Sequence, residues 1–399
     1  MARLIPRIRL LMMLGALIVL GAGVWVYYTI YTTSSFSLRH AEAFLFRRMT
    51  VAQLGEQNTY RYFFISNRRK ENETGPIETR FGNQREARLS FGSFDAKIEP
   101  SLGIGMLINP TEWLQNEEID LREVRPLKQP VFVEELRRLV SESPHRALLV
   151  LVHGFREGFP SGLRKTAFFG HVLDINSPIL LFDWPGDQGS SLRGYRRARE
   201  VAGASGADLA RALELVIREI EPERLWLVAN SMGAQVVVDA FTHLYAEADL
   251  ADADTEIEDI VLTAPDVDHE QFDRQFKREI AALAKDLTVY VSSNDRALVL
   301  SRLVNRAKRR GESTLTRDQL DEAVKISELI DEDEKLVTLV DVTPINRTRN
   351  FHNFSLETPE FFDDLYLRLS NDDDPQSRRL YRVRAQNGAL YWVLTRGRS

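Results

Sequence analysis

The sequence predicts an α/β fold: a mostly parallel, doubly wound sheet flanked by helices. Three observations lead there. From residue 147 onward, short apolar runs alternate with longer stretches at helical spacing, the pattern of strands joined by crossover helices. The first of these runs, 147–152, is apolar throughout and reads as a strand with both faces covered. At 225–244 a strand runs through a serine turn directly into an amphipathic helix.

Composition bounds the rest. The chain has 399 residues, enough for one large domain with additions or for two. With 44% hydrophobic and 28% charged residues it can bury an ordinary globular core. A net charge of −6 gives no reason to expect a nucleic-acid partner. There is no cysteine, which excludes disulfides, thiolate metal sites, a cysteine nucleophile and an acylated cysteine.

The elements follow in order. Residues 1–9 form a short basic segment with Arg3, Arg7 and Arg9. Residues 10–30 carry no charge, and this run of about 21 residues matches the ~20 that span a bilayer as a helix. Trp25, Tyr27, Tyr28 and Tyr31 cluster at its far end, where an aromatic belt lies. A cleaved signal peptide would have a shorter apolar core and a better small-x-small site than residues 21–23 offer, so a retained single-pass anchor is expected. The leading arginines place the N-terminus inside and the body in the periplasm or exterior. Residues 31–58 read as a helical stalk, with Ala41, Phe44, Leu45, Met49 and Leu54 on one stripe. The main domain spans 59–370. It starts with a strand at 60–65, a polar loop at 67–84, antiparallel strands at 88–98 broken at Gly92, an irregular stretch at 101–130 and a helix at 131–140.

The alternating part then follows. Strands are expected at 147–152, 179–184, 225–228, 260–263, 287–291 and 336–342. Helices are expected at 163–173, 201–220, 236–244, 271–284 and 359–369. Residues 301–334 are charged and read as a helical insertion. Residues 371–399 read as an acidic linker followed by a hairpin at 379–396, with Asn387 and Gly388 as its type I′ turn. No internal repeat is visible.

Chemistry concentrates at 225–244. Strand, Ala229-Asn-Ser231-Met-Gly233 and helix together describe a nucleophile elbow, in which the residues flanking the serine must be small. The same serine could simply cap the helix. A nucleophilic serine needs a base, an acid and an oxyanion hole. On an elbow of this kind the acid and then the histidine come later in the chain. Asp295, just past the strand at 287–291, is the favoured acid, and Asp266, one strand earlier, is the alternative. Only His269 and His352 follow the elbow helix. His269 precedes the favoured acid and breaks the order, whereas His352 follows the last strand and keeps it. In this reading His352 takes the Ser231 proton, and the acid fixes its tautomer. The oxyanion hole would use the N–H of Met232 and that of Phe155, with Gly154 allowing the close approach. His153 reads as packing beside the site. No metal cluster is visible, since His153 and His171 lack zinc spacing and partners. No cofactor is expected.

Several segments carry a family resemblance: LVLVHGF at 149–155, FDWP at 182–185, LVANSMG at 227–233, APDVD at 264–268 and VYVSSNDRAL at 289–298. Residues 147–366 resemble a largely uncharacterised bacterial branch of the α/β-hydrolases. YFFISNRR at 62–69 and Phe91-Gly92 resemble the strands that precede its core. The resemblance implies an α/β-hydrolase fold and the triad Ser231, Asp295 and His352, and implies no particular substrate. Asn230 stands where related hydrolases often carry histidine.

The expectation is therefore a membrane-anchored serine hydrolase acting on an ester or related acyl bond, with a small-molecule or lipid-like acyl substrate. It would sit in a bacterial inner membrane, with the catalytic domain in the periplasm. The competing reading is a catalytically silent module on the same fold, a membrane-tethered interaction or envelope-assembly protein.

Overall fold

A computed structural model describes residues 20–21, 49–55, 58–72, 75–98, 119–247, 250, 257–267, 276–292, 337–346, 354–372, 374–384 and 390–396. Eleven strands form one sheet: β1 (Thr59–Lys70), β2 (Phe81–Ile98), β3 (Ile119–Leu127), β4 (Ala147–Val152), β5 (Ile179–Asp183), β6 (Arg224–Asn230), β7 (Ile257–Thr263), β8 (Ala284–Val291), β9 (Val337–Asp341), β10 (Leu380–Arg384) and β11 (Leu390–Leu394). Their spatial order is β10-β11-β9-β8-β7-β6-β4-β5-β1-β2-β3. The stretch from β11 to β1 is parallel throughout, and β10, β2 and β3 add antiparallel edges.

The helices are α1 (Gln129–Glu142), α2 (Phe159–Leu173), α3 (Leu192–Leu215), α4 (Gly233–Ala246), α5 (Lys277–Leu283), α6 (Phe354–Glu357) and α7 (Pro359–Leu369). They cover both faces because strand side chains alternate. Leu148, Val150 and Val152 join one core with Phe132, Leu209, Val236 and Phe241. Ala147, Leu149 and Leu151 join the other, with Leu163, Phe168, Phe361 and Leu365. The doubly wound sheet is thus observed.

Topology fixes where chemistry can happen. From β4 the chain crosses to β5 on one side, then returns to β6 on the other. Between β4 and β6 lies the switch point, where the loops after the strands diverge and leave a crevice.

The structure departs from expectation in the outer strands and at the ends. Gly92 does not break a strand: β2 runs through it for 18 residues. A Cβ there would stand 2.3 Å from Phe64 Cζ, so the glycine makes room for the Phe64 ring. The strand β3 forms within the stretch expected to be irregular. Of the expected stalk at 31–58, residues 49–55 form turns and a β-bridge, Gln53 to Tyr60, and no helix. Met49 and Ala52 are buried there, and the Met49 N–H donates to Asp174 Oδ1 at 3.0 Å, so this segment docks on the domain. The C-terminal hairpin is not a separate appendage, because β11 pairs in parallel with β9 and continues the sheet. Its turn, with Asn387 and Gly388, lies outside the described residues, as does the 301–334 insertion.

No helix among the described residues is long and apolar enough to cross a membrane. Of the proposed anchor at 10–30, only Leu20 and Gly21, both helical, belong to the described residues.

Candidate active site

Ser231 stands at the junction of β6 and α4, at the switch point. Its φ is +53°, in the left-handed region that non-glycine residues seldom enter. Backbone bonds hold it there: its N–H donates to Thr263 O at 2.9 Å, and its carbonyl accepts from Ala234 N–H at 3.0 Å and Asp266 N–H at 3.1 Å. Such a conformation costs of order 1–3 kcal/mol and persists only where the surroundings enforce it. A plain helix cap has extended backbone and needs none of this.

The turn is closed by close backbone packing. A Cβ on Gly233 would stand 2.5 Å from His153 O and 2.7 Å from Val152 O. A Cβ on Gly154 would stand 3.0 Å from the Ser231 Cβ. The loop after β4 and the start of α4 therefore meet against the serine. Met232 is fully buried at the N-cap of α4, and Phe155 lies one residue beyond Gly154, its ring edge-on to Tyr195 at 5.6 Å. The two expected oxyanion donors thus sit on the two segments that enclose Ser231.

Asn230 has a task that sequence reasoning missed. Its amide donates to Thr263 Oγ1 and to Ser355 Oγ, both at 2.9 Å. It ties the residue before the serine to β7 and to α6. Ser355 follows His352 by three positions. His352 itself lies outside the described residues. Asp295 does too; the nearest described residue before it is Ser292, at the end of β8, whose hydroxyl accepts from Asn346 Nδ2 at 2.8 Å.

The alternative acid, Asp266, is described and buried. Its Oδ2 accepts from Tyr195 Oη at 2.6 Å and its Oδ1 from Arg199 Nη1 at 3.1 Å. Both partners stand on the first turns of α3, so this carboxylate links α3 to the elbow. Tyr195 and Arg199 carried no sequence signal: they precede the helix expected at 201–220, whereas α3 already starts at Leu192.

Beneath the loop after β4 lies a buried ionic network. Arg68 and Asp183 are both 0% exposed and pair at 2.9 Å. Asp183 also accepts from Ser66 Oγ at 2.6 Å and lies 3.2 Å from His153 Nε2. Burial opposes ionisation of Asp183, but the Arg68 charge and His153 outweigh it and hold the carboxyl below its ordinary range. The other ring nitrogen of His153 is 2.9 Å from Gly154 O, and its ring stacks on Trp184 at 5.6 Å. His153 is therefore occupied in packing and hydrogen bonding, as its sequence position suggested. Nearby, Glu157 is held below its ordinary range: burial raises it, but the Lys165 charge and bonds from Lys165 and Ser161 prevail.

Among the described residues, no three His, Asp or Glu side chains converge as a metal site. A cavity of about 780 Å³, lined by Phe81, Arg88, Phe91, Lys128, Arg211 and Leu215 among others, lies along β2, α1 and α3, and Ser231 is not part of its wall.

A model of the family described as alpha/beta hydrolase of unknown function (DUF900) matches residues 129–365. That stretch begins at α1 and ends within α7, and contains the elbow and every strand from β4 to β9. No curated protein matches the chain.

Proposed function

We propose that this chain, which belongs to the alpha/beta hydrolases of the matched family, is a serine hydrolase that cleaves an ester or related acyl bond. The observation that carries the reading is Ser231 held at a φ of +53° on a strand–turn–helix at the switch point of the sheet. A hydroxyl so placed is the usual nucleophile of this architecture.

In the proposed mechanism Ser231 Oγ attacks the acyl carbon while His352 takes its proton. Negative charge collects on the former carbonyl oxygen, facing the N–H groups of Met232 and Phe155. Collapse of this intermediate breaks the bond to the leaving group, which receives the proton from His352. Water then repeats the sequence and frees the acid. Asp295 orients His352 and stabilises its charged form, with Asp266 as the alternative acid. Support for His352 comes from Ser355, three positions later, which is bonded to Asn230 beside the nucleophile. Support for Asp295 over Asp266 comes from its place after β8, the later of the two strands, where this fold commonly carries the acid. Residues 10–30 would anchor the enzyme in a bacterial inner membrane with the catalytic domain in the periplasm.

A fluorophosphonate probe tests the reading. Full-length protein should be labelled, Ser231→Ala should not be, and His352→Ala should react at least ~100-fold more slowly. Folded wild-type protein that takes up no label would instead favour the silent-module reading. Sedimentation with membranes, lost on deletion of residues 1–30, tests the anchor.

A further inference from the structure

The geometry points to Arg68 as the positioning residue of the oxyanion loop, an inference that rests on the serine-hydrolase reading. Arg68 stands on β1, which contributes neither nucleophile nor oxyanion donor. It is fully buried, and its guanidinium reaches five groups, one of them Gly82 O at 3.5 Å from Nη1. Nε donates to both Asp183 oxygens at 2.9 Å. Nη1 donates to Asn83 Oδ1 at 3.1 Å. Nη2 donates to two main-chain carbonyls, Glu157 O and Trp184 O, at 2.6 Å each.

Those carbonyls belong to different loops. Glu157 lies near the end of the loop after β4, and Trp184 opens the loop after β5. One planar cation thus fastens together the two loops that border the crevice. The same loop is held at its other end as well. His153 is 3.2 Å from Asp183, and its carbonyl accepts from the Trp184 indole N–H at 2.8 Å. Between them, the Arg156 N–H donates to Gly186 O at 3.0 Å. Phe155, the expected oxyanion donor, lies midway along this doubly fastened span.

Stability alone gives little reason for such an arrangement, since a buried ion pair is often replaced by apolar residues without loss. What the pair supplies is direction. A guanidinium offers donors in a fixed fork, so two carbonyls and a carboxylate must keep fixed relative positions; an ammonium imposes no such plane. An oxyanion donor works only when aimed at where the charge will develop, and a misplacement of about 1 Å can cost ~100-fold in rate. Arg68 touches no substrate in this account. It acts through the loop.

The test uses full-length protein in detergent, p-nitrophenyl butyrate as the probe ester, and a trifluoromethyl ketone of matched chain length as the tetrahedral analogue. Active sites are counted by fluorophosphonate titration, so that misfolded protein is excluded. Arg68→Lys is expected to lower kcat per titrated site ~30-fold, with KM within about threefold, and to weaken the analogue by the same factor. If Arg68 only supports folding, the titrated fraction falls, whereas kcat per site and analogue affinity stay within twofold of wild type; that result overturns the inference. Should Arg68→Lys fail to fold, Asn83→Ala decides, because it removes one guanidinium partner and leaves the ion pair. A matched loss of about threefold in kcat and analogue affinity upholds the inference, and unchanged values overturn it. Wild-type protein that neither hydrolyses nor titrates refutes the serine-hydrolase reading itself, and the role of Arg68 with it.

Discussion

Gly233→Ala separates the packing of the elbow from the chemistry of its serine. The added methyl carbon would stand 2.5 Å from His153 O and 2.7 Å from Val152 O. Ordinary contact begins near 3.4 Å, so the shortfalls are about 0.9 Å and about 0.7 Å. Both obstacles are backbone carbonyls at the end of a central strand. Neither can rotate aside, and the close-packed interior transmits the strain. The start of α4 must therefore move away from β4. Two effects oppose each other in stability. Alanine gains up to ~1 kcal/mol over glycine inside a helix, and less at its first residue. Overpacking costs ~1–3 kcal/mol. The net expectation is a loss of ~1–2 kcal/mol in urea unfolding. Activity should suffer more, because Met232 rides on the displaced turn while Phe155 stays with the loop after β4. A shift approaching 1 Å predicts a ~100-fold slower fluorophosphonate reaction in protein that is still folded. An unfolding midpoint equal to wild type together with a labelling rate within twofold would refute the argument that helix-to-strand contact sets the elbow.

Three further outcomes follow from the same structure. Asn230→Ala removes donors to Thr263 and Ser355 and should cost ~1–2 kcal/mol in urea unfolding, with a labelling rate lowered at least ~10-fold if the Ser355 bond orders the histidine segment. Arg378→Met strands the buried carboxylate of Asp364, which Arg378 Nε meets at 2.8 Å beneath Tyr290, and should cost ~3–5 kcal/mol by the same assay. Burial raises Asp259 to about 6 from the ordinary 3.8, despite Arg368. A carboxyl raised on folding binds its proton more tightly in the native state. Its stabilising contribution is thus complete below pH ~4 and is lost as pH rises through about 6, a swing of about 3 kcal/mol. Comparing Asp259→Asn with wild type across pH 4–8 should remove that part of the slope, and parallel pH profiles would count against it.

The parallel centre of the sheet was legible because its strands are covered on both faces. Each of β4 to β8 contains a short apolar run bounded by turn residues, and the wound order follows from their alternation with helices. The elbow was legible for a related reason: small residues flank a serine where a strand must turn abruptly into a helix. The outer strands were not. One face of β3 meets solvent and carries Asp120, Arg122, Glu123 and Arg125, which removes the apolar signal. Gly92 read as a breaker because a sequence cannot show a phenylalanine ring on the neighbouring strand. The ionic network was hidden by distance. Arg68 and Asp183 are 115 positions apart, and each alone reads as an ordinary charged residue near a strand end. Asp266 was found as a polar residue after a strand, but its partners on α3 depend on packing between elements.

The position of β1 bears on what counts as a folding unit. The family-matched stretch starts at residue 129, yet β1 is the parallel partner of β5, and Arg68 on it neutralises Asp183. At the other side β11 covers β9, and Arg378 neutralises Asp364, again from outside the matched stretch. A fragment cut to residues 129–365 would bare the edges of β5 and β9 and leave two interior carboxylates without their cations. Open edges of that kind recruit strands from other molecules. The matched segment therefore relies on flanking chain to cover it, and on the β1 side that cover forms only when contacts more than a hundred positions apart close, a slow step for any nascent copy.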